Sequence, residues 1–201
     1  SLYQLIEGLN DADFPFLPDF VIVREREIFF PGQFGRWVPD ENWNKRCEKD
    51  HNRLFRKCKR ALAKIKDHVE ANTNARWVSG EGDAAGIVSS TEEEMDDILR
   101  IIENLTLHSD LTFERNSIYL RFSHRAYRKG SCLQEAAKRW GLECDKILAI
   151  GDNHNDLSML QPEICEACGC PANAIQEVRD YVTERGGKVA ANPGSIGVME
   201  V

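Results

Sequence analysis

Ile147-Leu148-Ala149-Ile150-Gly151-Asp152-Asn153-His154-Asn155-Asp156-Leu157-Ser158-Met159-Leu160 is the stretch whose reading decides the fold of this chain. Its first four residues are a short apolar run of buried-strand type. Gly151 lets the backbone turn sharply at the end of that run. Two carboxylates and two amides then crowd into residues 152–156. Open α/β sheets bind ligands at the carboxyl ends of their parallel strands. Hard oxygen donors at such a place suit Mg²⁺, which takes carboxylates, waters and substrate phosphate. A turn rich in Asp and Asn that caps a helix uses the same residues, so local chemistry alone leaves both readings open.

Working outward, Lys129-Gly130 opens a predicted helix over 130–140 that stops at Gly141. A helix N-terminus disfavours a cation, so Lys129 at that position reads as a charge clamp for a phosphate; a surface lysine is the plainer alternative. Downstream, a short helix is expected at 156–160, a strand near 163–168, a helix over 174–181, and a turn at Gly186-Gly187 before a strand at 188–191.

The N-terminal part begins with a helical apolar face (Leu2, Tyr3, Leu5, Ile6, Leu9). After a loop rich in Asp and Pro come strands at 20–23 and 27–30. Residues 31–39 read as irregular. A long helix is predicted over 42–72 from Trp43, Cys47, Leu54, Phe55, Cys58, Leu62, Ile65 and Val69. Strands follow at 75–78 and 86–89, around the turn Gly80-Glu81-Gly82-Asp83. Thr91, with Glu94 three residues on, caps a helix running to about 104. Strands at 111–113 and 117–122 close this middle region.

Bulk composition narrows the function classes. A formal charge of −7 argues against a nucleic-acid binder, which would show a basic face. No apolar run reaches the roughly 20 residues that span a bilayer, and no signal peptide opens the chain. Seven cysteines make no paired framework, so a reducing cytoplasm is expected.

Taken together, Arg128-Lys129-Gly130-Ser131-Cys132-Leu133, Gly141-Leu142 and Gly151-Asp152-x-x-Asn155-Asp156-x-x-Met159-Leu160 resemble the third and fourth motifs of haloacid dehalogenase (HAD) superfamily phosphatases. The likeness is nearest to the Cof-type and sucrose-phosphatase-like branch. Pro171-Ala172-Asn173-Ala174, Gly186-Gly187-Lys188-Val189-Ala190 and Gly197-Val198 resemble its later segments, and Leu17-Pro18-Asp19-Phe20-Val21-Ile22 resembles the strand after its second motif.

The resemblance implies an α/β fold: a Rossmann-like core over 1–30 and 129–201, its first strands missing, with an inserted α+β cap over 31–128. It implies a Mg²⁺-dependent phosphate monoester hydrolase for a small phosphorylated metabolite such as a sugar phosphate. Asp152 would bind Mg²⁺. Asp156 would orient Lys129 or share the metal through water. Asn155 would hydrogen-bond the phosphate or the metal shell, and Lys129 would neutralise the transferring phosphoryl group. Alternatives are a non-catalytic phosphate- or sugar-binding module and a phosphomutase of the same superfamily.

The resemblance also implies an attacking Asp in a D-x-D motif at the end of an earlier buried strand. Asp11-Ala12-Asp13 is the D-x-D of this sequence, and it follows no buried strand. The chain is therefore expected to be part of a longer protein and to be inactive alone. Cys165, Cys168 and Cys170 lack a second pair at zinc spacing and read as core or edge residues. His154 reads as a solvent-facing turn residue. Trp37 and Trp43 read as packing anchors, and Gly80-Glu81-Gly82 as a hairpin turn.

Overall fold

The computed structural model describes residues 2–11, 16–80 and 83–201. The chain opens with α1 (Leu2–Asp11), β1 (Val21–Val23), β2 (Glu27–Pro31), β3 (Trp37–Pro39) and the long α2 (Glu41–Asn72). Next come β4 (Arg76–Gly80), β5 (Asp83–Val88), α3 (Glu92–Glu103), β6 (Leu111–Asn116) and β7 (Tyr119–His124). The last part contains α4 (Lys129–Arg139), β8 (Leu148–Ile150), β9 (Ala167–Cys170), α5 (Gln176–Glu184), β10 (Lys188–Val189) and α6 (Gly194–Glu200). The middle of the turn read at 80–83, and Ala12 and Asp13, lie outside the described residues.

The strands form three sheets: β1-β2-β3, β4-β5-β7-β6 and β10-β9-β8. The first two are antiparallel and the third is parallel. The parallel strands alternate with helical segments, which is the α/β pattern.

Periodicity explains α2. Trp43, Cys47, His51, Leu54, Cys58, Leu62, Ile65 and Val69 are its buried residues, spaced by three or four, so they share one stripe of about 39 Å along the helix. The Asp40 side chain caps its start by accepting from Trp43 N at 3.0 Å. The stripe serves two cores. Trp43 and Cys47 pack with Ile28, Phe30, Tyr127 and Cys132. Leu54 to Val69 pack with Met95 and Ile98 of α3 and with Ile87, Leu120 and Phe122 on the four-stranded sheet. A third cluster joins Ala149, Leu160, Cys165, Cys168, Cys170, Val178 and Val182 behind the parallel sheet. Thr91 caps α3 as its spacing requires, accepting from Glu94 N at 3.2 Å. Gly141, at φ +64, ends α4 with the paired bonds Gly141 N to Lys138 O and Leu142 N to Ala137 O.

Several elements depart from the sequence reading. Residues 37–39, read as irregular, form β3 beside β2. The loop before them is closed by Gly32 N to Arg36 O at 2.7 Å, so Pro31 and Gly32 mark a reversal and the strand resumes. The strand expected at 163–168 starts only at Ala167, because Ile164 and Cys165 both donate to Gln161 O in a turn. The helix expected at 156–160 is a 3₁₀ turn at His154–Asp156. α6 was not legible as a helix. The strand at 20–23 pairs antiparallel with β2, and no described residue joins it to β8. β8 itself lies at the edge of its sheet, so Leu148 is 51% exposed, where a fully buried strand was expected.

Candidate active site

Two glycines bring the site together. A Cβ on Gly151 would lie 2.4 Å from Asp156 Cβ, so glycine lets the loop after β8 fold back on Asp156. A Cβ on Gly130 would lie 2.0 Å from Ser158 O, so glycine lets the start of α4 press against the same loop. Gly130 N also donates to Ser158 Oγ at 3.2 Å. The result puts Lys129, the first residue of α4, beside the loop that carries Asp152, Asn155 and Asp156.

Asp156 is buried and uses both carboxylate oxygens. Oδ1 accepts from Lys129 Nζ at 2.5 Å. Oδ2 accepts from the backbone N–H groups of Asp152 at 2.9 Å and Asn153 at 3.1 Å. Charge-assisted bonds of this kind are the strong ones, so Asp156 fixes the lysine and the loop at once. Asp152 is exposed. Burial pushes its carboxyl above the usual range, the Asp156 carboxylate beside it pushes the same way, and Lys129 opposes them.

Asn155 is 3% exposed. Its Nδ2 donates to Glu25 Oε1, a residue 130 positions away. Its Oδ1 is buried without a hydrogen-bond partner among the described residues. His154, expected to face solvent, is half-buried: Nδ1 lies 3.0 Å from Asn153 Oδ1 and Nε2 3.5 Å from Glu177 Oε2. It is drawn inward because the 154–156 turn packs against both α5 and β6.

The donor set suits Mg²⁺. The Asp152–Asp156 pair holds crowded negative charge, and Asn155 presents a buried oxygen that has no donor among the described residues. Asp156 already has three partners, so Asp152 is the carboxylate available to a cation. The described residues hold no cluster of three or more His, Cys, Asp or Glu able to form a closed metal cage. Mg²⁺ commonly keeps several waters and uses one or two carboxylates.

The four-stranded sheet supplies residues that sequence reasoning missed. β6 contacts the 154–156 turn. Arg128, just before α4, donates to Thr112 Oγ1 at 2.6 Å, and its Nε lies 3.1 Å from Glu114 Oε1. Burial pushes the Glu114 carboxyl up to about 7; Arg128 pulls it down, and the Glu25 carboxylate adds to the rise. Glu25, Glu114, Asn116, Tyr119 and Arg121 line a cavity of about 220 Å³. No local motif marks these residues, because tertiary packing assembles them from the β1–β2 turn and from β6 and β7.

The remaining candidates are structural. Trp43 is buried, edge-on to Tyr127 with ring centroids 5.1 Å apart, and Nε1 donates to Arg26 O at 2.8 Å. Cys165, Cys168 and Cys170 are free and buried. Asp11 is the exposed last residue of α1, a helix without buried residues, and so does not end a buried strand. No helix among the described residues is long and apolar enough to cross a membrane.

A family model described as haloacid dehalogenase-like hydrolase matches residues 9–191. A phosphoglycolate phosphatase from Thermoplasma acidophilum is 38% identical over 64 residues, which is 30% of this chain and 28% of that protein. The match thus spans under a third of that relative. The sucrose-phosphatase of Synechocystis sp. PCC6803, solved with sucrose and phosphate, superposes with a TM-score of 0.73 at 15% identity, over 100% of this chain and 79% of that one. A HAD subclass IIB sugar phosphatase superposes with a TM-score of 0.54 at 13% identity, over 92% of this chain and 74% of the other.

Proposed function

This chain belongs to the haloacid dehalogenase-like hydrolase family, and from that premise we propose that it handles phosphate and magnesium in a phosphomonoesterase for a small phosphorylated metabolite, with sugar phosphates as the leading class. The observation that carries this reading is the 2.5 Å contact from Lys129 Nζ to Asp156 Oδ1, made by a carboxylate whose other oxygen holds the loop bearing Asp152. A lysine held in this way is a preorganised positive charge for a transferring phosphoryl group, and it needs little reorganisation when the charge arrives.

In this reading Asp152 would hold Mg²⁺, with Asp156 near it through water. The bound ion would neutralise phosphate charge and align the ester. Lys129 binds the phosphoryl oxygens. Asp156 keeps the ammonium aimed and the loop folded, and Asn155 closes the shell. The attacking group is a carboxylate of the D-x-D type that the family resemblance implies.

The region 31–128 acts as a cap over this edge, a role supported by the contact of β6 with the 154–156 turn. The cavity beside Glu25 and Glu114 receives the polar organic part of the substrate; its carboxylates, amide and phenol suit hydroxyl groups. The sugar phosphatases among the structural relatives support this substrate class. A nucleic-acid or membrane partner is not part of the proposal, and its setting is a reducing cytoplasm, in keeping with seven free cysteines.

Calorimetric titration with inorganic phosphate in the presence of MgCl₂ tests the reading. Lys129→Ala should weaken phosphate binding about tenfold, the effect of losing about 1.4 kcal/mol. Unchanged phosphate affinity in that variant would remove the lysine from the proposed role.

A further inference from the structure

Helix α2 carries a row of charge that the fold does not use. Lys49, Arg53, Arg56, Lys57, Arg60 and Lys64 are exposed and lie opposite the buried stripe, at the three- and four-residue steps of one helix face about 22 Å long. No acidic, apolar or aromatic residue interrupts that face between 49 and 64. Residues 49–64 contain seven Lys or Arg and one Asp, a charge of +6 in a chain of −7, which leaves −13 for the rest.

Like charges three and four residues apart weaken a helix, so the row is a cost that α2 bears. The ion pairs of α2 among the described residues are Lys45 with Glu41, Arg46 with Glu135 and Lys66 with Glu70. None of the six cations is therefore held in an ion pair by the described part of its own chain.

The complement stands on another element. α5 packs on β9 and β10. Its exposed Glu177, Asp180 and Glu184, three and four residues apart, line an open groove of about 590 Å³ with Leu157, Gln161 and Tyr181. Arg53, Arg56 and Arg60 have the same spacing, and Arg53, Lys57 and Arg60 have it in reverse. One molecule thus carries a convex cationic ridge and an acidic groove of equal period, and the ridge does not reach the groove within the chain.

We propose that this face binds a second copy of this chain: the α2 ridge of one copy seats in the α5 groove of the other. Made twice, the contact closes a two-fold dimer. The ridge has no aromatic side chain on which bases could stack and no apolar side chain to enter a membrane interface. The −13 of the remaining chain opposes a long polyanion. Exposed ion pairs are individually weak, so the association depends on concentration and on salt.

Sedimentation equilibrium of the 201-residue chain tests this, at about 20 mM and about 500 mM NaCl, where the Debye length is about 20 Å and about 4 Å. The association constant should fall at least tenfold between the two. Arg53→Glu with Arg60→Glu should remove association at low salt, and so should Asp180→Lys with Glu184→Lys. Thermal midpoints should hold in both, because all four side chains are exposed. Mixing the two variants should restore association, since a reversed ridge then meets a reversed groove; a misfolded variant would not be rescued.

A wild-type chain that sediments as one copy at low salt and about 100 µM, where a weak contact is populated, would overturn the proposal. Association that persists undiminished at high salt would come from apolar surface such as Leu148 at the edge of β8 and would also overturn it. A mixture of the two variants that stays unassociated would break the pairing of these faces. Retardation of duplex DNA that needs Arg53 and Arg60, without self-association, would assign the ridge to nucleic acid and end the second-copy reading.

Discussion

Lys129 Nζ and Asp156 Oδ1 lie 2.5 Å apart across 27 residues of sequence, and Asp156 Oδ2 also accepts from the backbone N–H groups of Asp152 and Asn153. One buried carboxylate thus joins the start of α4 to the loop after β8. Asp156→Ala would leave the partly buried ammonium and two backbone donors without this partner. Breaking a buried pair from one side costs roughly 3–5 kcal/mol; the 27% exposure of the Lys129 side chain places the expected loss nearer 2–3 kcal/mol. Urea denaturation measures it, and a loss below about 0.5 kcal/mol would contradict the finding.

Asp152→Asn separates binding from folding. Asp152 is exposed and crowded by Asp156, so loss of its charge should leave metal-free stability unchanged or slightly raised. Mg²⁺ affinity should drop at least tenfold, because a hard cation loses its available carboxylate. Parallel thermal melts and Mg²⁺ titrations check both halves of the statement.

Gly130→Ala tests the close approach that seats Lys129. The added methyl would meet Ser158 O at 2.0 Å, and that atom is backbone. Overpacking of this kind costs about 1–3 kcal/mol, occasionally more, even though alanine is the better helix former. A variant as stable as wild type would show that α4 and the loop can separate freely.

Glu114 gives the fold a pH dependence with a definite sign. Its carboxyl is pushed from 4.5 to about 7 in the folded protein, chiefly by burial. Between those values the folded state holds a proton that the unfolded state has released. Stability from this group is therefore complete below pH 4.5 and is lost as pH rises through 7. Glu114→Gln cannot titrate, so its stability relative to wild type should rise by on the order of 1–3 kcal/mol from pH 4.5 to 8. The slope is the readout, since loss of the Arg128 partner shifts the whole curve. Parallel curves for the two proteins would rule the group out.

Asp11 ends a surface helix, a poor place for a nucleophile that must meet a phosphoryl group held by Lys129. The 201-residue chain should therefore release no inorganic phosphate from a broad panel of phosphate esters with Mg²⁺. EDTA-sensitive release would contradict this, and Asp11→Asn and Asp13→Asn would then identify the attacking group.

Much of the architecture was written in local pattern. The stripe from Trp43 to Val69 announced α2 and most of its buried face. Gly141 marked the end of α4, and Thr91 with Glu94 the start of α3. Lys129, Asp152, Asn155 and Asp156 were legible because each glycine that seats them, Gly130 and Gly151, is adjacent to a member of the set in sequence. β3 and the start of β9 were misread because Gly32 and Gln161 act through hydrogen bonds to residues up to four positions away, which composition does not record.

The sequence by itself determined the family, the parallel α/β segments and the four residues that gather at the end of β8. Their spacing encodes contacts made within one loop and across one helix start. Only the tertiary structure decided that Asp156 is occupied by Lys129 and two backbone donors, that Glu25 reaches Asn155, and that Glu114 is buried beside Arg128. Those pairings join residues up to 130 positions apart. The Glu25–Asn155 and Glu114–Arg128 pairings rest on the desolvation of charged groups by packing between separate elements, and that depends on which surfaces meet and not on any local run of residues.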